Sequence, residues 1–149
     1  MAAVMDELLQ QPAIRAWALA SAVLALKTMA IGTYTSAIRI RKRVYISPED
    51  YELQGHTPAA GPDPDVERAR RIHQNDLENH LPFALVGLVY ALTGPSSLAV
   101  WLCFAGFPIA RILHSIAYAR ALMPHRTIAF GYGFFVLLWM AFASLWALA

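Results

Sequence analysis

One cysteine, Cys103, occurs in the whole chain, and it sits inside an apolar run. No intrachain disulfide can form, and a lone thiol lacks the cluster that a zinc site needs. A buried core thiol is the expectation for it. Charge is scarce too. Only 15% of the 149 residues are Asp, Glu, Lys or Arg, against about 25% in an ordinary soluble domain. No basic stretch is interleaved with aromatics, which argues against a nucleic-acid partner. No Gly-rich phosphate loop, nucleophile elbow or His-Glu-x-x-His pattern occurs. The signatures of nucleotide hydrolases, α/β-hydrolases and zinc peptidases are therefore missing. A cleaved leader is not expected, because Asp6 and Glu7 stand where a leader wants positive charge.

What the chain does have is apolar length. Hydrophobic residues make up 58% of it, and the mean hydropathy is +0.44. Apolar runs cover residues 16–38, 77–92, 98–118 and 127–149, the last without a single charge. A membrane span needs about 20 residues, so the second run falls short unless its helix extends back to Val66. Turn residues separate the runs. Thr93-Gly94-Pro95-Ser96-Ser97 is a tight turn, residues 121–125 contain Pro124, and residues 47–65 form a long Pro-, Gly- and acid-rich loop. Asp63-Pro64-Asp65 supplies an acidic cap for the second helix. The expected fold is one all-α domain over residues 1–149, an integral membrane bundle with spans at about 12–42, 66–93, 97–120 and 124–148.

The basic residues are one-sided. Arg39, Arg41, Lys42, Arg43, Arg68, Arg70, Arg71, Arg111, Arg120 and Arg126 fall at one end of this layout, and only Arg15 and Lys27 lie elsewhere. The positive-inside rule then turns the long loop and the third-to-fourth turn to the cytosol. The run from Arg39 to Arg43 also suits an anchor to lipid headgroups.

Some polar residues fall where lipid-facing helices would reject them. Arg68, Arg71, Asn75 and Glu78 are spaced 3, 4 and 3 apart, so they share a helix face. Arg111, His114 and Tyr118 share another. Two polar faces at one depth imply a shared cavity, and intramembrane charge usually marks a site; the competing reading is interhelical glue. Arg39, Arg71, Arg111 and Arg126 outnumber Asp50, Asp76 and Glu78, which suits a zwitterionic ligand with terminal carboxylates. His73, Asp76 and His80 are crowded, but the surrounding arginines would repel a cation, so no metal is expected. Pro82 and Pro108 leave the Glu78 and Phe104 carbonyls without a helical donor and predict kinks.

The run Asp63-Pro64-Asp65-Val66-Glu67-Arg68, then Arg71, His73, Asn75-Asp76, Glu78 and Pro82-Phe83, resembles the signature of the MAPEG family. These are the membrane-associated proteins of eicosanoid and glutathione metabolism. Ser47-Pro48-Glu49-Asp50, Arg111, His114, Ala117-Tyr118 and Arg126 fit as well, and the resemblance covers nearly the whole chain. It is strongest to the branch of microsomal glutathione transferases and prostaglandin E synthases. It implies a homotrimer of four-helix subunits that binds glutathione between neighbouring subunits. It also implies a lipophilic electrophile or lipid as second substrate. The membrane is that of the endoplasmic reticulum or the bacterial inner membrane, with the site toward the cytosol.

By position, the resemblance assigns glutathione contacts to Arg39, Arg70, Arg71, His73, Gln74, Asn75, Glu78, His114, Tyr118 and Arg126. Arg126 matches the family's catalytic arginine and Asp50 the aspartate that accompanies it. Thr127 keeps a hydroxyl beside the arginine. Gln74 and Phe130 replace an arginine and a tyrosine of the prostaglandin synthases and lean toward the transferases. The activity implied is glutathione transfer with some reduction of lipid hydroperoxides. The alternatives are isomerisation of a prostaglandin endoperoxide and a non-catalytic lipid-binding scaffold.

Overall fold

The computed structural model describes residues 2–58 and 60–149. Among the described residues every regular element is helical. A short α1 (Ala2–Gln10) leads into α2 (Pro12–Lys42), and a single turn of helix α3 (Pro48–Leu53) interrupts the long loop. Then come α4 (Pro64–Leu92), α5 (Ser97–Ala119) and α6 (His125–Leu148). By length and composition α2, α5 and α6 can cross a membrane, at 31, 23 and 24 residues. Helix α4 has 29 residues, but its first half is charged.

Local chemistry sets the boundaries. Pro12 and Pro64 occupy first turns, where a missing N–H costs nothing. Asp63 caps α4 by accepting from the Asp65 and Val66 amides at 2.9 and 3.2 Å. Helix α4 thus starts at Pro64, two residues before the start expected from the apolar pattern. The acidic cap itself lies where the sequence places it. Ser96 caps α5 through the Ala99 amide at 3.4 Å. Helix α2 ends on Arg43, which adopts a left-handed conformation (φ 56°) while the Val44 amide reaches back to Arg39 O. Neither α1 nor α3 has a counterpart in the expected layout. Both are short, and α3 carries no long apolar stripe to betray it.

Helix α2 lies along α4, and α5 packs chiefly on α6. At the uncharged end the core is aromatic. Phe83 stacks on Phe107 at 4.3 Å and meets Phe104 edge-on at 6.0 Å. Trp17 donates to Ala84 O at 3.0 Å, one turn from Gly87, where a Cβ would stand 3.0 Å from the Trp17 ring. Ala84 is two residues beyond Pro82, and α4 continues unbroken through that proline. A π-helical turn over Trp101–Ala105 widens α5 just before Gly106. Tyr132 of α6 reaches into this place and donates to Leu102 O at 2.7 Å.

Candidate functional site

Midway along α2, Lys27 breaks an apolar run, and its partner explains it. Its ammonium donates to both carboxylate oxygens of Asp76 at 2.6 Å and to Ser115 Oγ at 2.7 Å. The Asp76 side chain is wholly buried, as is that of Arg111, whose Nη2 lies 3.6 Å from Asp76 Oδ1. Arg111 also donates to the side-chain oxygen of Asn75. His80 stands 3.6 Å from Asp76 and shares a 2.7 Å bond with Thr28 Oγ1. Three helices are thus tied by one carboxylate between two cations. Lys27 does not lie apart from the polar residues, as its position in the sequence suggests. It is the counter-ion of Asp76.

Toward the arginine-rich end a second group forms on α5 and α6. The Arg126 guanidinium sits 4.6 Å over the Tyr118 ring. Tyr118 packs edge-on against His114 at 5.7 Å, and His114 lies 6.1 Å from Phe130. Among the described residues Arg126 makes no ion pair. Thr127, next to it, has one weak contact, from Oγ1 to Met123 Sδ at 3.7 Å. Arg68 donates to the Tyr118 carbonyl at 3.5 Å, which leans α4 toward this group.

The remaining candidates spread over α2, α3 and α4. Arg70, Arg71, Gln74 and Glu78 are exposed on α4. Arg70 pairs with Glu67 at 2.8 Å, and Gln74 donates to Glu78 at 3.0 Å. His73 is half-buried against α2, where a Cβ on Gly32 would meet its ring at 3.5 Å. Arg39 is half-buried near the end of α2. Asp50 is exposed in α3 and accepts from the Ser47 amide at 3.4 Å, closing the helix start. The structure therefore brings Asn75 to Arg111 and gathers Arg126, Tyr118 and His114. Among the described residues no contact joins Arg71, Gln74 or Glu78 to Arg126, and Asp50 is in no ion pair with it. Of the two helix faces expected to share a cavity, Asn75 and Arg111 meet in the buried ionic cluster, while Arg71 and Glu78 lie exposed. Helical spacing assigns a face, but it does not say which neighbour the face meets.

These faces carry several guanidinium groups and the carboxylates of Asp50 and Glu78. Guanidinium groups offer paired donors that match carboxylates, and Glu78 offers an acceptor for an ammonium. A cation beside a thiol favours the thiolate.

The sequence model of the MAPEG family matches residues 17–146. The chain is similar to microsomal glutathione S-transferase 1 of Sus scrofa, 38% identical over 146 residues, covering 95% of this chain and 94% of the relative. It is similar to prostaglandin E synthase of Homo sapiens, 34% identical over 142 residues, covering 95% of this chain and 93% of the relative. Prostaglandin E synthase of Rattus norvegicus is 36% identical over 135 residues, covering 90% and 88%.

Proposed function

This chain belongs to the MAPEG family, and from that premise we propose that it is a membrane-bound glutathione transferase acting on lipophilic electrophiles. The observation that carries this reading is the Arg126 guanidinium, held on the Tyr118 ring with no carboxylate against it among the described residues. A cysteine thiol has a pKa of about 8.5, so little is thiolate at neutral pH. Arg126 would hold the glutathione sulfur as the anion, and the Thr127 hydroxyl would donate a second hydrogen bond. A guanidinium is a donor only, so the thiol proton leaves to water or to Asp50. The sulfur then bonds to the electrophilic carbon, and the leaving group departs with its bonding pair. The same thiolate would attack the terminal oxygen of a lipid hydroperoxide, breaking the O–O bond and releasing the alcohol. The glutathione sulfenic acid so formed would condense with a second glutathione to the disulfide and water.

In this reading Arg39, Arg70, Arg71, His73, Gln74, Asn75, Glu78 and His114 hold the ends of the tripeptide, two carboxylates and an ammonium. One subunit spreads these residues over faces that do not meet. This supports a site shared between neighbouring subunits of a homotrimer. The exposed Arg71, Gln74 and Glu78 of α4, bordered by exposed Leu77, Leu81 and Leu85, would be covered there. Helix α4 is the fourth span of a single domain over residues 1–149. At 1.5 Å per residue it is roughly 43 Å long, which lets its charged half stand beyond the hydrocarbon. The arginine-rich end faces the cytosol, from either the endoplasmic reticulum membrane or a bacterial inner membrane.

The test is the ultraviolet difference absorbance of thiolate when glutathione is added to the detergent-solubilised protein. Wild type gives the signal. In Arg126→Ala the signal vanishes, and conjugation of a halo-nitroaromatic falls about a hundredfold or more, the scale for one preorganised donor at a developing anion. Full conjugation by Arg126→Ala would sink the assignment. A second reading, glutathione-dependent isomerisation of a prostaglandin endoperoxide, rests on the near-full-length likeness to prostaglandin E synthase. Turnover of endoperoxide without turnover of the nitroaromatic would select it. Phe130 stacks on Phe134 at 6.4 Å and brings no hydroxyl to the His114 group.

A further inference from the structure

A cavity of about 310 Å³ opens between the end of α2, the start of α4 and the last turn of α5. Its floor is apolar, with the buried Ala69 and Ile72 of α4 and the half-buried Ile38 of α2. Its rim is cationic, with Arg41 and Lys42 from α2 and Arg68 from α4. These cations are not equivalent. Lys42 is already neutralised, since its ammonium holds both oxygens of Asp63 at 3.0 Å and also meets Asp65. Arg68 has one long bond to a carbonyl, and Arg41 makes no ion pair among the described residues. Two guanidinium groups therefore face a hollow whose only acid, Asp65, is taken by Lys42.

The position matters as much as the lining. This end of the bundle carries the chain's basic excess, so the cavity mouth lies at the level of lipid headgroups. An apolar floor running down between two long helices is what an acyl chain needs, and paired guanidinium donors are what a phosphodiester needs. The volume is at the low end of small-molecule sites, about 300–1,000 Å³. It has room for a headgroup and the first chain carbons, with the rest of the lipid outside. Asp65, Arg68 and Ile72 line it from α4, and none of its lining residues is among the proposed glutathione contacts.

We propose that this cavity binds an anionic phospholipid, with the phosphodiester between Arg41 and Arg68 and the upper acyl chain over Ile38 and Ile72. The lipid would bridge α2 and α4 just outside the clasp that Lys42 makes with the start of α4.

The experiment is native mass spectrometry of the full-length protein in mild detergent, titrated separately with short-chain phosphatidylglycerol, short-chain phosphatidylcholine and inorganic phosphate. Phosphatidylglycerol is expected to stay bound at one molecule per subunit, with phosphatidylcholine weaker by roughly tenfold or more, the scale two interfacial arginines set. Arg41→Gln with Arg68→Gln should abolish that preference, and Arg41→Lys with Arg68→Lys should restore part of it. Circular dichroism checks that each variant is folded. If the glutamine pair does not fold, Ile38→Trp fills the floor from the α2 side and should expel the lipid with the rim intact. Equal retention of both lipids would overturn the proposal, as would an undiminished phosphatidylglycerol adduct in the glutamine pair. Binding of inorganic phosphate alone would reduce it to a simple anion site and overturn the lipid assignment, and retention of neither lipid would overturn it as well.

Discussion

The two charged regions of this bundle differ in how their charges are answered. At mid-depth, Lys27 and the buried Arg111 both meet the wholly buried Asp76 within 3.6 Å. At the arginine-rich end, Arg70, Arg71, Gln74 and Glu78 are exposed, and Arg126 rests only on an aromatic face. Burial without a partner is costly, so the deep charges must be structural in the first instance. The shallow ones have water within reach and can wait for a ligand. Depth, more than residue type, separates the charges that hold the fold from those that could hold a substrate.

The sharpest way to break this comparison is to remove the deep carboxylate. Asp76→Asn leaves Lys27 and Arg111 without their anion and should destabilise the fold by about 3–5 kcal/mol. Glu78→Gln, two residues on but exposed, should stay within about 0.5 kcal/mol. Thermal unfolding of both variants in the same detergent checks the pair. Equal losses would mean that depth is not what separates the regions.

This pair also shows what was legible in the sequence. Apolar runs and turn residues located the long helices, and the acidic cap of α4 was readable from Asp63-Pro64-Asp65, because these depend on neighbours in the chain. The basic end was readable from the placement of arginines. The partnership of Lys27 with Asp76 was not, since it joins residues 49 positions apart and nothing in either segment names the other. Asn75 and Arg111 share that history, with the difference that both were already suspected. The separation of the Arg126 group from the exposed face of α4 was also hidden. Helical spacing gives the faces of α4, α5 and α6, whereas the rotation of each helix in the bundle comes from packing. The π-helical turn at Trp101–Ala105 left no signal in composition, and only Gly106 marks it.

A second contrast lies within α5, between its regular second half and its widened start. A Cβ on Gly106 would stand 2.1 Å from the Tyr132 hydroxyl, so Gly106→Ala must push Tyr132 off Leu102 O. The expected cost is about 1–3 kcal/mol, the range for overpacking a filled site. In a Tyr132→Leu background the same change should cost clearly less, because the atoms it strikes are gone. Unfolding midpoints of the four proteins give the coupling. A cost that ignores the background would place the role of Gly106 in the backbone of α5 itself.

The smallest expected effect concerns the clasp between α2 and α4, in which Lys42 holds Asp63 and Asp65. Burial by itself would raise the Asp63 carboxyl, but Lys42 and the Val66 and Asp65 amides outweigh it and hold the group below the usual carboxylate range. A folded value below the unfolded one gives stability that is present above the ordinary carboxylate pKa and lost as pH falls through the lower folded value. Asp63→Asn keeps a cap of similar quality but cannot titrate and cannot fully answer Lys42. At neutral pH the wild type should therefore unfold slightly later than Asp63→Asn, and the gap should close on acidification through the carboxylate range. High salt should narrow it as well, since the pair is near water. A gap that persists in acid would show that the fold draws on the geometry of Asp63 and not on its charge. The clasp would then belong with the deep cluster's packing rather than with the open, titratable end.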